Sequence, residues 1–225
     1  MTLNLTKNEK NLGWLLPLCQ FVVFPITVSM GCTTMGIYSV AVFNQICFFL
    51  SAALAAVLFR DLLGSSLRRS RSELKKTLLT VLTGLVLYWL VSSALAAAVL
   101  ALKPDFANVN DASVNAMLDE SPVMMALAVV FAAPLAEECL FRGWIFTGLA
   151  RRSVPLAYAA TSLLFCAAHI AGYVGTYDPV TLLLCFLQYV CPSLILCWTC
   201  RRADSLMAPL LLHMTINTIA LFVTR

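Results

Sequence analysis

The sequence predicts an all-α protein, a polytopic bundle of about seven transmembrane helices. Three observations carry that expectation. Hydrophobic residues make up 61% of the 225-residue chain and charged residues 12%, with a mean hydropathy of +0.89; a soluble domain carries about 25% charged residues. The apolar residues fall in runs near or above 18 residues, long enough to cross a bilayer as helices. The charges gather between those runs, with one sign dominating each connection. A formal charge of +4 would suggest nucleic acid in a soluble protein, but here its placement between spans matters more than its sum, and no nucleic-acid partner is expected.

Residues 1–12 read as a short polar tail with Lys7 and Lys10. Span 1 covers about residues 13–30 and is not a signal peptide, since no small-x-small cleavage site follows it and a second span comes at once, at about 38–59. Residues 60–76 are the most basic stretch, with Arg60, Arg68, Arg69, Arg71, Lys75 and Lys76. Gly64-Ser65-Ser66 and Ser70 mark this stretch as a loop or interfacial turn.

Span 3 covers about 78–102, and the connection 103–120 is acidic, with Asp105, Asp111, Asp119 and Glu120 against Lys103. Span 4 begins near Pro122, a residue suited to a first helical turn, and continues to Arg151-Arg152. Span 5 covers 154–171, a turn 172–179, and span 6 about 180–200. Pro192 kinks span 6 or, in an eight-span alternative, breaks it. Span 7 covers about 205–223. With no internal repeat, the chain reads as one membrane-embedded domain, 1–225, whose motif-bearing core is about 121–225.

Nine cysteines lie mostly in apolar segments and read as small hydrophobes. The C-x-x-C pair Cys197 and Cys200 has no second pair and no βαβ context. With seven spans and the N-terminus in the cytoplasm, twelve Lys and Arg fall on the inner side. Lys103, Arg225 and five acids fall on the outer side, which supports that orientation.

Against this background a few polar residues sit inside spans. Glu137, Glu138 and Arg142 lie within six residues in span 4, although a charge at mid-bilayer costs about 2.5–3.5 kcal/mol on insertion scales. The only two histidines, His169 and His213, lie in spans 5 and 7. Asn217 follows His213 by four residues, on the same helical face, and Phe165 precedes His169 by four. At ~1.5 Å per residue, Glu137, His169 and His213 lie ~22, ~21 and ~15 Å from the inner ends of their spans, with Asn217 at ~20 Å. Singly, these are explained by a packed histidine, a buried ion pair or an interhelical amide. Together they describe a polar cavity shared by three helices.

These residues resemble the CPBP family, the CAAX-processing and bacteriocin-processing intramembrane proteases (the ABI or type II CAAX prenyl endopeptidase family). E-E-x-x-x-R is Glu137 to Arg142, F-x-x-x-H is Phe165 to His169, and H-x-x-x-N is His213 to Asn217. The resemblance implies a glutamate-dependent intramembrane endopeptidase of the bacterial plasma membrane. It would act without a cofactor on a C-terminal or membrane-proximal segment of a peptide or protein, lipidated or not.

Glu137 would activate water and His169 help to hold it. His213 and Asn217 would stabilise the oxyanion, Glu138 and Arg142 would support the site, and Phe165 would shape the cavity; seven spans could enclose one reached from the inner leaflet or cytosol, but the sequence does not show its opening. Amide hydrolysis needs these parts: a base for water, and donors aimed at the developing oxyanion.

Other functions stay open at this point. A zinc-dependent variant would take Glu137, Glu138, His169 and His213 as ligands, though the nearby Arg142 opposes a cation. A non-enzymatic scaffold or bacteriocin-immunity protein would keep the residues as structure. A proton-coupled transporter would use them as a relay, against which stand the small size and the lack of repeats.

Overall fold

The computed structural model describes residues 3–223, and over them the fold is all-α and polytopic. The helices are α1 (Lys7–Thr34), α2 (Val40–Leu58), α3 (Arg60–Ser72), α4 (Leu74–Leu102), α5 (Val109–Glu120), α6 (Pro122–Ala150), α7 (Val154–Tyr173), α8 (Pro179–Ala203) and α9 (Met207–Val223). Six of them, α1, α2, α4, α6, α7 and α8, are long and apolar enough to cross a membrane, and α9 is a shorter apolar helix of 17 residues. The eight-span alternative is not what forms, because α8 runs unbroken through Pro192.

Successive long helices reverse direction, so the bundle has two unlike ends. The basic end holds α3 and the turns bearing Arg151-Arg152 and Arg201-Arg202; the acidic end holds α5 and the turn before α8. Asp178 caps α8 there: Thr181 donates to it from both its hydroxyl (2.6 Å) and its backbone N–H (2.9 Å). Those two bonds bring the Asp178 carboxyl down to about 2.

Three segments differ from the sequence expectation. Residues 60–72 form a helix rather than a loop or turn. Its serines make a buried polar seam instead of a turn: Ser70 and Ser205 share a hydroxyl bond of 2.8 Å, and Leu206 N–H donates to Ser66 Oγ at 3.1 Å. The acidic connection contains α5, capped by Asn108, whose side chain accepts from the N–H groups of Asn110 and Asp111. The tail is built into the bundle, with Leu3 and Leu5 in the same apolar cluster as Phe59, Leu62 and Leu206. In that tail Glu9 forms a capping box with Thr6. Its other oxygen accepts from Leu62 N–H at 2.7 Å, which satisfies the start of α3.

Burial decides where ionisable residues are tolerated. In α6, 56% of the apolar window is buried, against 6% in α4, so α6 is the helix able to carry charge away from lipid. Around it, α8 packs on α4, α7 and α9, while α2 and α7 cover α6. The α4 contact depends on Gly84, where an added Cβ would lie 2.7 Å from Leu212 Cδ2 and 3.0 Å from Thr199 Oγ1. Leu212 is fully buried and has little room to yield. Gly84→Ala is therefore expected to destabilise the bundle by about 1–3 kcal/mol, read as a lower thermal midpoint in detergent; an unchanged midpoint would show that α4 shifts freely.

Candidate active site

The geometry of the site starts with how α6 winds. Residues Ala128–Ala132 and Cys139–Phe146 are π-helical, so the glutamates sit on a short α-helical stretch between two wider ones. Such widened turns leave main-chain carbonyls in need of donors. Pro134 has no N–H for the carbonyl of Val129, five residues back, and Asn217 of α9 donates its Nδ2–H there at 2.9 Å. The Arg142 carbonyl accepts from the Thr147 backbone N–H and also from the Thr147 hydroxyl, the latter at 2.8 Å.

Consecutive residues on this stretch face different surroundings. Glu138 points into protein and is 1% exposed. Its Oε1 accepts from Arg142 Nη1 at 3.0 Å and from His213 Nδ1 at 2.8 Å. Arg142 is wholly buried; its Nη2 donates to the backbone oxygen (3.2 Å) and hydroxyl (3.1 Å) of Ser193. Its guanidinium carbon lies 4.5 Å from the centre of the Phe165 ring, a cation–π contact.

Glu137 points the other way, into a cavity of about 500 Å³ that His169, His213, Phe165 and Asn217 also line. Its Oε2 lies 3.9 Å from His169 Nε2 and 3.9 Å from His213 Nε2. That oxygen is buried without a hydrogen-bond donor among the described residues.

The tautomers follow from the partners. His169 Nδ1 lies 2.8 Å from the Phe165 carbonyl, which only accepts, so Nδ1 donates. His213 Nδ1 donates to Glu138 in the same way. Each neutral ring therefore turns an Nε2 lone pair towards Glu137. The His169 ring is held between Phe165 and Tyr189, with centroids 4.3 Å away on both sides.

The three motifs thus bring Glu137, His169 and His213 together, with Glu138 and Arg142 behind them. Asn217 lines the cavity, but the bond it makes goes to Val129 rather than to Glu137. Glu138, a ligand in the zinc alternative, gives its Oε1 to Arg142 and His213, while its Oε2 is buried without a hydrogen-bond partner among the described residues. Among the described residues no three His, Cys, Asp or Glu side chains are placed to hold a metal ion. Cys197 and Cys200 are buried and unpaired.

Sequence reasoning missed Ser193, Tyr189 and the α5 cap. Tyr189 and Ser193 stand four apart on α8, the same spacing as each recognised pair, and that was the available signal. The Tyr189 hydroxyl lies 3.3 Å from Asn108 Oδ1 and 3.2 Å from Asp111 Oδ1, which ties His169 to the start of α5. Asp111 borders the cavity, and burial raises its carboxyl above the usual range, while the Tyr189 hydroxyl opposes that shift.

Fold and site define a helical membrane protein whose interior cavity joins a carboxylate to two imidazoles. Residues 119–219 match the family model described as Type II CAAX prenyl endopeptidase Rce1-like, the family that the three motifs resemble. Over that stretch, which is less than half of the chain, the protein is similar to that family of membrane-embedded CAAX proteases. Neither the curated proteins nor the solved structures contain a match to this chain.

Proposed function

We propose that the protein is a glutamate-dependent, metal-independent intramembrane endopeptidase, with Glu137, His169, His213 and Asn217 acting on the scissile peptide. The observation that supports it most is the pair of 3.9 Å separations from Glu137 Oε2 to the two imidazole Nε2 atoms. That spacing is too long for a direct hydrogen bond and suits one water within reach of all three atoms. Glu137 takes a proton from this water as its oxygen attacks the peptide carbonyl. The carbonyl electrons move onto the oxygen, and the proton passes to the leaving amine as the C–N bond breaks.

His169 fixes the water through its Nε2 lone pair, its ring clamped by Phe165 and Tyr189. His213, with Nδ1–H held by the Glu138 carboxylate, would stabilise the oxyanion from Nε2 once that nitrogen has taken up a proton from solvent. The second amide hydrogen of Asn217 remains available for the same oxygen. Glu138 and Arg142 fix the height and rotation of α6, and the substrate is a peptide or protein segment.

The test is cleavage of a defined peptide pool by the purified full-length protein, with Glu137→Gln as the comparison. Processing that survives this substitution unchanged would leave a scaffold. Activity should persist after dialysis against EDTA and 1,10-phenanthroline, with metal content read by mass spectrometry; loss on chelation and recovery with zinc would replace the metal-free reading.

Tyr189→Ala should lower turnover about 2–10-fold, since an aromatic pair is worth ~0.5–1.5 kcal/mol. Tyr189→Phe should keep most of it, because the stacked ring remains. Equal losses in both variants would assign the effect to the hydroxyl instead.

A further inference from the structure

We propose that the catalytic cavity is entered from the non-cytoplasmic side of the membrane. Its substrate would then be a polypeptide presented there: an exported peptide, or the extracytoplasmic juxtamembrane stretch of a membrane protein. This rests on the proteolytic reading for the word substrate, but not for the side of entry.

Two independent observations meet in this inference. The first is which end of the cavity is closed. The lining residues nearest the basic end are Phe141, Leu196 and His213. Below them lie the Glu138–Arg142–Ser193 layer and a packed apolar cluster that includes Phe59, Leu140 and Leu206. No water-sized path is expected through a layer of fully buried side chains packed at interior density.

Towards the acidic end the lining gains polar side chains on two helices, beside apolar ones such as Leu95, Val114 and Leu221. Asn108, Asn110, Asp111 and Asn115 come from the first half of α5, and Gln188 and Tyr189 from α8. Asn108 also donates to Gln188 at 2.8 Å, which joins α5 to the bundle as one rim. A peptide backbone needs such donors and acceptors as it leaves water. The amides of α5 and α8 supply them on one side before the chain reaches Glu137.

The second observation is the charge asymmetry. Among the described residues the basic end carries twelve Lys and Arg against Glu9, Asp61, Glu73 and Asp204, whereas the acidic end carries Lys103 with five acids. A bias of that size in short connections sets the basic end in the cytoplasm. The closed end is therefore the cytoplasmic one, and the amide-lined end faces outward. The sequence alone leaves the entry path open, with the inner leaflet or cytosol as one possibility.

Labelling of single introduced cysteines decides the question without needing activity. Ala112→Cys lies on the exposed face of α5, Asn115→Cys inside the rim, and Ser72→Cys at the basic end; every native cysteine is at least partly buried, so the wild-type chain sets the background. The full-length protein is expressed in bacterial cells and treated with a membrane-impermeant maleimide before and after permeabilisation, with labelling of denatured protein taken as the total.

Complete labelling of Ala112→Cys and Asn115→Cys in intact cells, with none of Ser72→Cys until permeabilisation, is expected. The reverse pattern, labelling of all three from outside, or an Asn115→Cys that reacts only after permeabilisation would overturn it. A correct labelling pattern with no peptidase activity would sink the enzymatic reading and leave the side of entry standing.

Discussion

Glu137→Gln is expected to reduce peptide cleavage by about 10²–10⁴-fold without weakening the fold. Glutamine keeps the volume and the two oxygen-sized positions, but it cannot take a proton from water. Stability should hold because Glu137 Oε2 has no hydrogen-bond donor to lose among the described residues. Removing a partly buried carboxylate also relieves a desolvation cost.

The measurement is a cleavage rate beside a thermal melt on the same preparation. A dead enzyme that melts normally supports the role, whereas a dead enzyme that no longer folds would make Glu137 a structural residue. Retained activity would remove the carboxylate from the chemistry altogether.

Arg142→Met should do the opposite, acting first on stability. It leaves Glu138 buried at 1% exposure with its cation gone, and it strips both donors from Ser193. Removing one partner of a buried pair costs about 3–5 kcal/mol, a large share of the ~5–15 kcal/mol that holds a typical domain together.

The double variant Glu138→Gln/Arg142→Met should recover part of that loss, because it no longer buries a lone charge. Unfolding in denaturant, followed by helical signal, reads both variants. If the single substitution is silent, water must reach Glu138 and the layer beneath the cavity is not dry.

The spans and the three motifs were legible for a simple reason. Apolar runs announce themselves, and an ionisable residue inside one demands an explanation. Less could be read where a residue type has two uses. Ser66 and Ser70 look like turn formers, yet on α3 they are spaced to make one buried stripe, a use that only the facing Ser205 and Leu206 reveal.

Glu9 sits in a sequence that reads as a solvated tail, and its burial depends on a donor from Leu62, 53 residues away. Tyr189 and Ser193 carry no charge, so they lacked the cost argument that exposed Glu137 and Arg142. Their roles emerge from what α6 and α7 place against them. The two π-helical stretches of α6 had one sequence sign, Pro134, and its effect appears only once Asn217 of a distant helix answers it.

The two adjacent glutamates divide their duties between water and protein. The deeper cation already has a permanent companion in Glu138, so on the proposed mechanism Glu137 would gain and lose its proton in each cycle without leaving that cation alone. The proposed proton acceptor and the ion pair that holds α6 in place are thus separate carboxylates, joined through the single ring of His213.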